Sequence, residues 1–221
     1  MPDTGPAPVR RRGSPLRLAL VVVAAALVAV LVPLGVLGIP MLLHRDAGAA
    51  GTATLAADGL SATATGADGR TRTLAIAPQD GADPRALLAG DRIVVTGRGY
   101  DAGQGIYVAI CRVPGSAAEK PSPCIGGVPE QRSADAADAD RIDWAPSSWI
   151  NDSWAWRLFG ARSWDDADAG SFTAYIEVGD PVGEGLDCTA VACAVYTRAD
   201  HTATADRSQD LAVPVAFAAD G

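Results

Sequence analysis

Four cysteines are the residues of this chain best suited to covalent chemistry: Cys111, Cys124, Cys188 and Cys193. Thiols at such spacings either oxidise in pairs or hold a metal. A structural zinc site commonly contains a C-x-x-C pair. None exists here, and the two histidines, His44 and His201, are poorly placed to complete a site. Two disulfides are the expected outcome, with the local pairings Cys111–Cys124 and Cys188–Cys193 closing short loops. The second group is aromatic. Trp144, Trp149, Trp154, Trp156 and Trp164 fall within 21 residues, with Phe159 among them. Such large amphipathic rings form either a binding face for an apolar or ring-shaped ligand, or a satellite core folded over the domain. In strand geometry Trp154 and Trp156 share a face with Leu158, which favours packing for that set.

Other constellations are weaker. Asp135, Asp138, Asp140 and Asp143 lack the spacing of a calcium loop. Asp166, Asp168 and Glu177 occupy positions 1, 3 and 12 of such a loop, but Gly170 comes one place early. His201 has Asp200, Asp206, Ser208 and Asp210 nearby in sequence. No G-x-S-x-G elbow accompanies them, and the block reads as a surface turn. Were His201 to hold a metal or haem, Tyr107 or Tyr196 would be its conceivable partners. Gly97-Arg98-Gly99 marks a turn or bulge rather than a phosphate loop, because no helix follows it. The expectation is a protein that is not an enzyme and has no cofactor and no metal.

These residues sit in a chain with a clear address. Arg10, Arg11, Arg12 and Arg17 form a basic block within a tail at 1–17, and Leu18–Leu43 is an uncharged apolar run of 26 residues. About 20 helical residues cross a bilayer core, while a cleaved signal has an apolar core of about 7–15. The run therefore reads as an uncleaved signal anchor, the arginines staying cytoplasmic and the C-terminal part lying outside. From Asp46 onward 25 acidic residues face 13 basic ones. That balance excludes the basic face of a nucleic-acid binder and suits a solvated exported domain.

Residues 44–69, rich in Ala, Thr and Gly, read as a tether ending in an edge strand at Ala62–Thr65. From residue 70 the texture becomes short alternating segments punctuated by Gly, Pro and Asp: Thr71–Ala77, Asp91–Thr96, Gly105–Val113, Phe172–Val178, Cys193–Thr197 and Leu211–Phe217. Such segments predict an all-β antiparallel sandwich over 70–217, interrupted by a Trp-rich insertion at about 125–168.

Particular residues resemble the neocarzinostatin family. They are Gly90-Asp91 before Ile93–Tyr100, Tyr107–Cys111, Gly170–Val178, the block Asp187-Cys188-Thr189-Ala190-Val191-Ala192-Cys193, and the terminal Val213–Phe217. The resemblance covers about residues 70–217 apart from the insertion, and implies a seven-stranded immunoglobulin-like sandwich. The family's best-known members are secreted carriers that hold a reactive chromophore in a cleft, so it also implies ligand binding. The block from Thr197 to Asp210 resembles actinobacterial surface proteins in which such a module sometimes accompanies a haem-uptake domain of the HtaA type. The functional expectation is an extracytoplasmic, membrane-anchored binding module. Its ligand would be a small apolar molecule held by Trp144, Trp149, Trp154, Trp156, Phe159 and Trp164, or its partner an envelope protein. The alternative is a structural interaction domain in an envelope complex connected with haem or siderophore handling.

Overall fold

The computed structural model describes residues 15–43, 48–127 and 142–218. Arg10, Arg11, Arg12, Asp135, Asp138 and Asp140 lie outside them. The chain divides into two units, 1–43 and 44–221. The first holds one helix, α1 (Pro15–Leu43), of which Leu16–Gly35 is long and apolar enough to cross a membrane. None of that stretch is buried within the protein, and it is apolar all round, as a lipid-facing helix is.

The second unit is an antiparallel sandwich. One sheet has the order β1 (Thr54–Leu55), β2 (Ser61–Thr65), β3 (Thr71–Pro78), β4 (Arg92–Arg98) and β7 (Phe172–Glu177). The other has the order β11 (Leu211–Val215), β10 (Cys193–Ala199), β5 (Ile106–Arg112) and β6 (Ser147–Ile150). A two-stranded ribbon, β8 (Val182–Gly183) and β9 (Leu186–Asp187), and a helical turn, α2 (Trp154–Arg157), complete the elements. Alternation decides the faces. Leu74 and Ile76, Ile93 and Val95, and Phe172, Ala174 and Ile176 point from the first sheet into the core. Ile106, Val108 and Ile110, Val195, and Leu211 and Val213 meet them from the second. β5 and β10 are buried on both faces, since Tyr107, Trp149, Tyr196 and the Cys111–Cys124 bridge cover the outside.

The predicted all-β sandwich behind an N-terminal apolar helix is observed, and six expected strands appear within a residue or two. Three readings change. Residues 44–69 are not simply a tether: β1 and β2 belong to the first sheet, and Ala49 is bridged to Arg207. β2 falls where the edge strand at Ala62–Thr65 was expected, with the small Ala62 and Ala64 pointing inward, and β1 lies outside it. The outward Thr63 and Thr65 of β2 meet Thr73 and Thr71 across the strands. Residues 154–157 are helical rather than extended, which exposes Trp154 and Leu158 and leaves Trp156 partly buried. The His201 block is largely interior: Asp200, Asp206, Arg207, Ser208 and Gln209 are all buried, although His201 itself is exposed.

Their burial builds a polar core at one end of the sandwich. Arg72, 1% exposed, points inward from β3. Its guanidinium donates to both carboxylate oxygens of Asp68 and to Gln209 Oε1, and lies 6.0 Å from the centre of the Tyr100 ring. Gln209 also takes the Asp101 amide at 2.9 Å and donates to its carbonyl at 3.1 Å. Tyr100 and Thr197 share a hydroxyl contact of 3.0 Å, and Thr197 donates to the Gln209 carbonyl. Each buried polar group so paired avoids the several kcal/mol that an orphan would cost.

Candidate functional site

The site is a cleft of about 530 Å³ along the open edge of β6. β6 pairs only with the first half of β5, from Ile106 to Ala109. Beyond it, Cys124 takes its place beside β5: Cys124 bridges Cys111, and the Ile125 amide donates to the Ile110 carbonyl at 2.8 Å. The cleft opens between these two neighbours. Gly126, at φ 76°, permits the close approach of the opposing chain, since a Cβ there would lie 2.4 Å from Pro146 Cβ. The far wall is the β8–β9 ribbon, whose turn residues Glu184 and Gly185 both have positive φ. Such turns match the twist of a hairpin.

Both disulfides form, with the expected pairings. Both also pin walls of the cleft. Cys124 lines it, and Cys188 immediately follows β9, whose Leu186 lines it. The floor is apolar and hydroxylic, built from Ile125, Ala145, Pro146, Ser147, Ser148 and the Trp149 ring. Charge enters at the margins. Asp143, Asp180 and Glu184 supply carboxylates and Arg162 a guanidinium. Asp180 is oriented by accepting the Val182 amide at 2.8 Å, and Arg162 lies 5.6 Å from the Tyr175 ring centre. The mouth is therefore net acidic, which favours ligands carrying positive charge or hydrogen-bond donors.

The six aromatic residues of the insertion do not converge. Trp149, buried, lines the cleft and donates from Nε1 to Asp200 at 2.9 Å. Trp156 packs on Trp149 and meets the His201 ring edge-on at 4.7 Å, with Phe159 beside it. Trp164 is core, stacked against Tyr100 and Phe172. Trp144 lies against Tyr175 on the other sheet, with Arg92 over its ring at 5.1 Å. Trp154 is 69% exposed. The single segment thus serves core, cleft and surface, and proximity in sequence misled because a turn of helix and a strand aim consecutive rings differently.

His201 does meet Tyr107, as its placement allowed: the Tyr107 hydroxyl and His201 Nδ1 are 2.8 Å apart. Burial, and secondarily the Asp200 carboxylate, push the Tyr107 phenol up to about 12, so it stays protonated at neutral pH. Ser208 is buried in its loop while His201 is exposed beside the aromatic rings, so no nucleophile–base pair is set up there. Among the described residues no three His, Cys, Asp or Glu side chains gather to hold a metal. Glu177 instead pairs with Arg92 at 3.1 Å, and Asp166 accepts the Ala169 amide in a turn. Sequence reading missed Ser147, Ser148, Asp180 and Glu184, because only the pairing of β6 and the ribbon brings these segments together.

Fold and cleft define a class: a disulfide-bonded β-sandwich with an edge cleft, in a chain that also carries an apolar helix long enough to span a bilayer. No family model matches the chain. It is 30% identical over 137 residues to thiamine biosynthesis protein X of Corynebacterium glutamicum, a match covering 62% of this chain and 60% of that one. The chain thus spans about 60% of that relative's length. Among solved structures it is similar to macromomycin at 17% identity, over 66% of this chain and 99% of that one, with a TM-score of 0.33.

Proposed function

We propose that the protein is an extracytoplasmic, membrane-anchored, non-catalytic binding module whose small ligand occupies the β6-edge cleft. The observation that carries this reading is a cleft of about 530 Å³ whose walls are fixed by both disulfides. Small-molecule sites commonly have volumes of roughly 300–1,000 Å³, with an apolar floor and a few polar groups that set orientation. Walls fixed before binding reduce the ordering cost of capture. Export is supported by the disulfides, which persist in oxidising compartments, and by α1. The Trp149 ring and the apolar floor suit a ligand with an apolar ring. The carboxylates Asp143, Asp180 and Glu184 suit one that also carries positive charge or donors. Thiamine, a cationic two-ring molecule, belongs among the ligands to try, since the curated relative is named for thiamine biosynthesis.

The test is a calorimetric titration of the oxidised full-length chain in detergent with thiamine, neutral aromatic amines and haem, beside a Gly183→Phe variant. Gly183 lines the cleft, and a Cβ built there meets nothing within 4 Å, so the substitution enters open space beside the cleft. Saturable binding that disappears in Gly183→Phe at unchanged Tm is the expected result. Equal binding in the variant would remove the cleft as the site. A panel with no saturating member would remove this reading of the ligand.

A further inference from the structure

The outer face of the second sheet carries a guanidinium that the fold leaves unpaired. Arg198 points outward from β10, directly across from Tyr107 on β5, and its guanidinium lies 5.4 Å from the centre of that ring. The residue is 7% exposed, and its buried Nε has no hydrogen-bond partner. A guanidinium keeps its proton when buried, and charge withdrawn from water without a partner is costly. The nearby carboxylate does not serve it. Asp210 acts on Arg198 by charge but gives its Oδ2 to Arg207 at 2.9 Å, and its Oδ1 has no hydrogen-bond partner.

A second cation enlarges the imbalance. Lys120, exposed on the loop after β5, is held below its ordinary value by partial burial and then by the Arg198 and Arg207 guanidiniums. Neither Lys120 nor Arg198 forms an ion pair with any described residue. Arg207 is already committed, to Asp210 and to the carbonyls of Thr204 and Ala205. Two unpaired cations stand together here in a chain of net charge −8, which has carboxylates enough to neutralise them. Tyr196 adds a hydroxyl on the same outer face, between the small side chains of Ala109 and Ala212. Burial, and then the Asp210 carboxylate, push its phenol up to about 12, so it remains a donor at neutral pH. We infer that Arg198, Lys120 and Tyr196 form a binding site for a small oxyanion, a carboxylate or phosphate group. The planar fork of a guanidinium matches two oxygens of such a group, and an ammonium beside it adds charge without fixed direction. None of these residues lines the β6-edge cleft, so this is a second site, with the opposite charge preference.

The experiment follows the Tm of the oxidised full-length chain in neutral detergent, in sodium phosphate, sodium acetate and sodium chloride at equal ionic strength. The expected result is saturable stabilisation by phosphate or acetate over chloride, and the anion that stabilises identifies the group bound. The response should vanish in Arg198→Met and need about tenfold more anion in Lys120→Met. In chloride the Tm of Arg198→Met should stay level or rise, because an unpaired buried charge has been removed. No stabilisation by either anion overturns the site, as does an undiminished response in either variant. Lys120→Met, a change at an exposed residue, decides the matter should Arg198→Met fail to fold.

Discussion

The two ends of the sandwich are held together by opposite means. At one end, Cys111–Cys124 and Cys188–Cys193 close loops of 13 and 5 residues' separation around a cleft. At the other, no covalent bond contributes. A buried guanidinium, a buried amide and several buried carboxylates hold the Asp200–Asp210 loop in place. Covalent closure acts by restricting the unfolded chain and tolerates an open, solvated cavity beside it. A buried polar network tolerates no such opening, because each member must stay paired. The difference explains why the cleft lies at the first end and why the second is closed.

Four variants and one titration test that contrast. Trp164→Ala is expected to have the largest effect, about 4 kcal/mol by chemical denaturation, because its ring fills the core against Tyr100 and Phe172. The same change at exposed Trp154 should stay within about 0.5 kcal/mol. Equal effects would deny that the insertion divides into core and surface. Arg72→Ala follows, at about 3 kcal/mol, since it removes a fully buried side chain together with its hydrogen bonds to Gln209 and Asp68. Hydrogen exchange should then rise across residues 199–210 while the cleft walls stay protected. Replacing Cys188 and Cys193 together by Ser should cost about 2 kcal/mol from loop closure alone. Here the expected exchange pattern reverses, with the β8–β9 ribbon opening first. Uniform loosening in both variants would mean that the ends are not independent.

The smallest effect is a pH slope. Asp210 accepts from Arg207 at 2.9 Å through Oδ2, but its buried Oδ1 has no hydrogen-bond partner. Burial pushes its carboxyl up to about 7 against the pull of Arg207 and Arg198. The native state therefore keeps a proton between about pH 4 and pH 7 that the unfolded chain has lost. This group's contribution to stability falls as pH rises through that window and is level above it. Urea midpoints from pH 4 to 8 should show a flatter slope in Asp210→Asn, and an unchanged slope would reassign the titration to another group.

Much of the fold was legible in residues whose neighbours in sequence are also their structural context. The alternation of Ile106, Val108 and Ile110 marked β5, and Phe172, Ala174 and Ile176 marked β7, because a strand's period of two is written locally. The uncharged run at Leu18–Leu43 marked α1 for a similar reason. The cysteine pairs were legible because each closes a short loop. The edge strand at Ala62–Thr65 was legible as well, but β1 was not, since a two-residue strand is too short to show a period. Nor was β6, where Ser147-Ser148-Trp149-Ile150 becomes a strand only by pairing with β5 some forty residues earlier. The cleft inherits that opacity: its walls come from residues near 125, 147, 162 and 183.

By itself, then, the sequence determined an apolar span, an acidic domain of short antiparallel strands and two local disulfides, all properties of periodicity, composition and spacing. Only the tertiary structure decided which tryptophan faces the core, the cleft or the solvent, that Arg72 and the 200–210 block are interior, and where a ligand would fit. Side-chain direction depends on the turn of helix or strand adopted, and burial depends on long-range pairing that no local window contains.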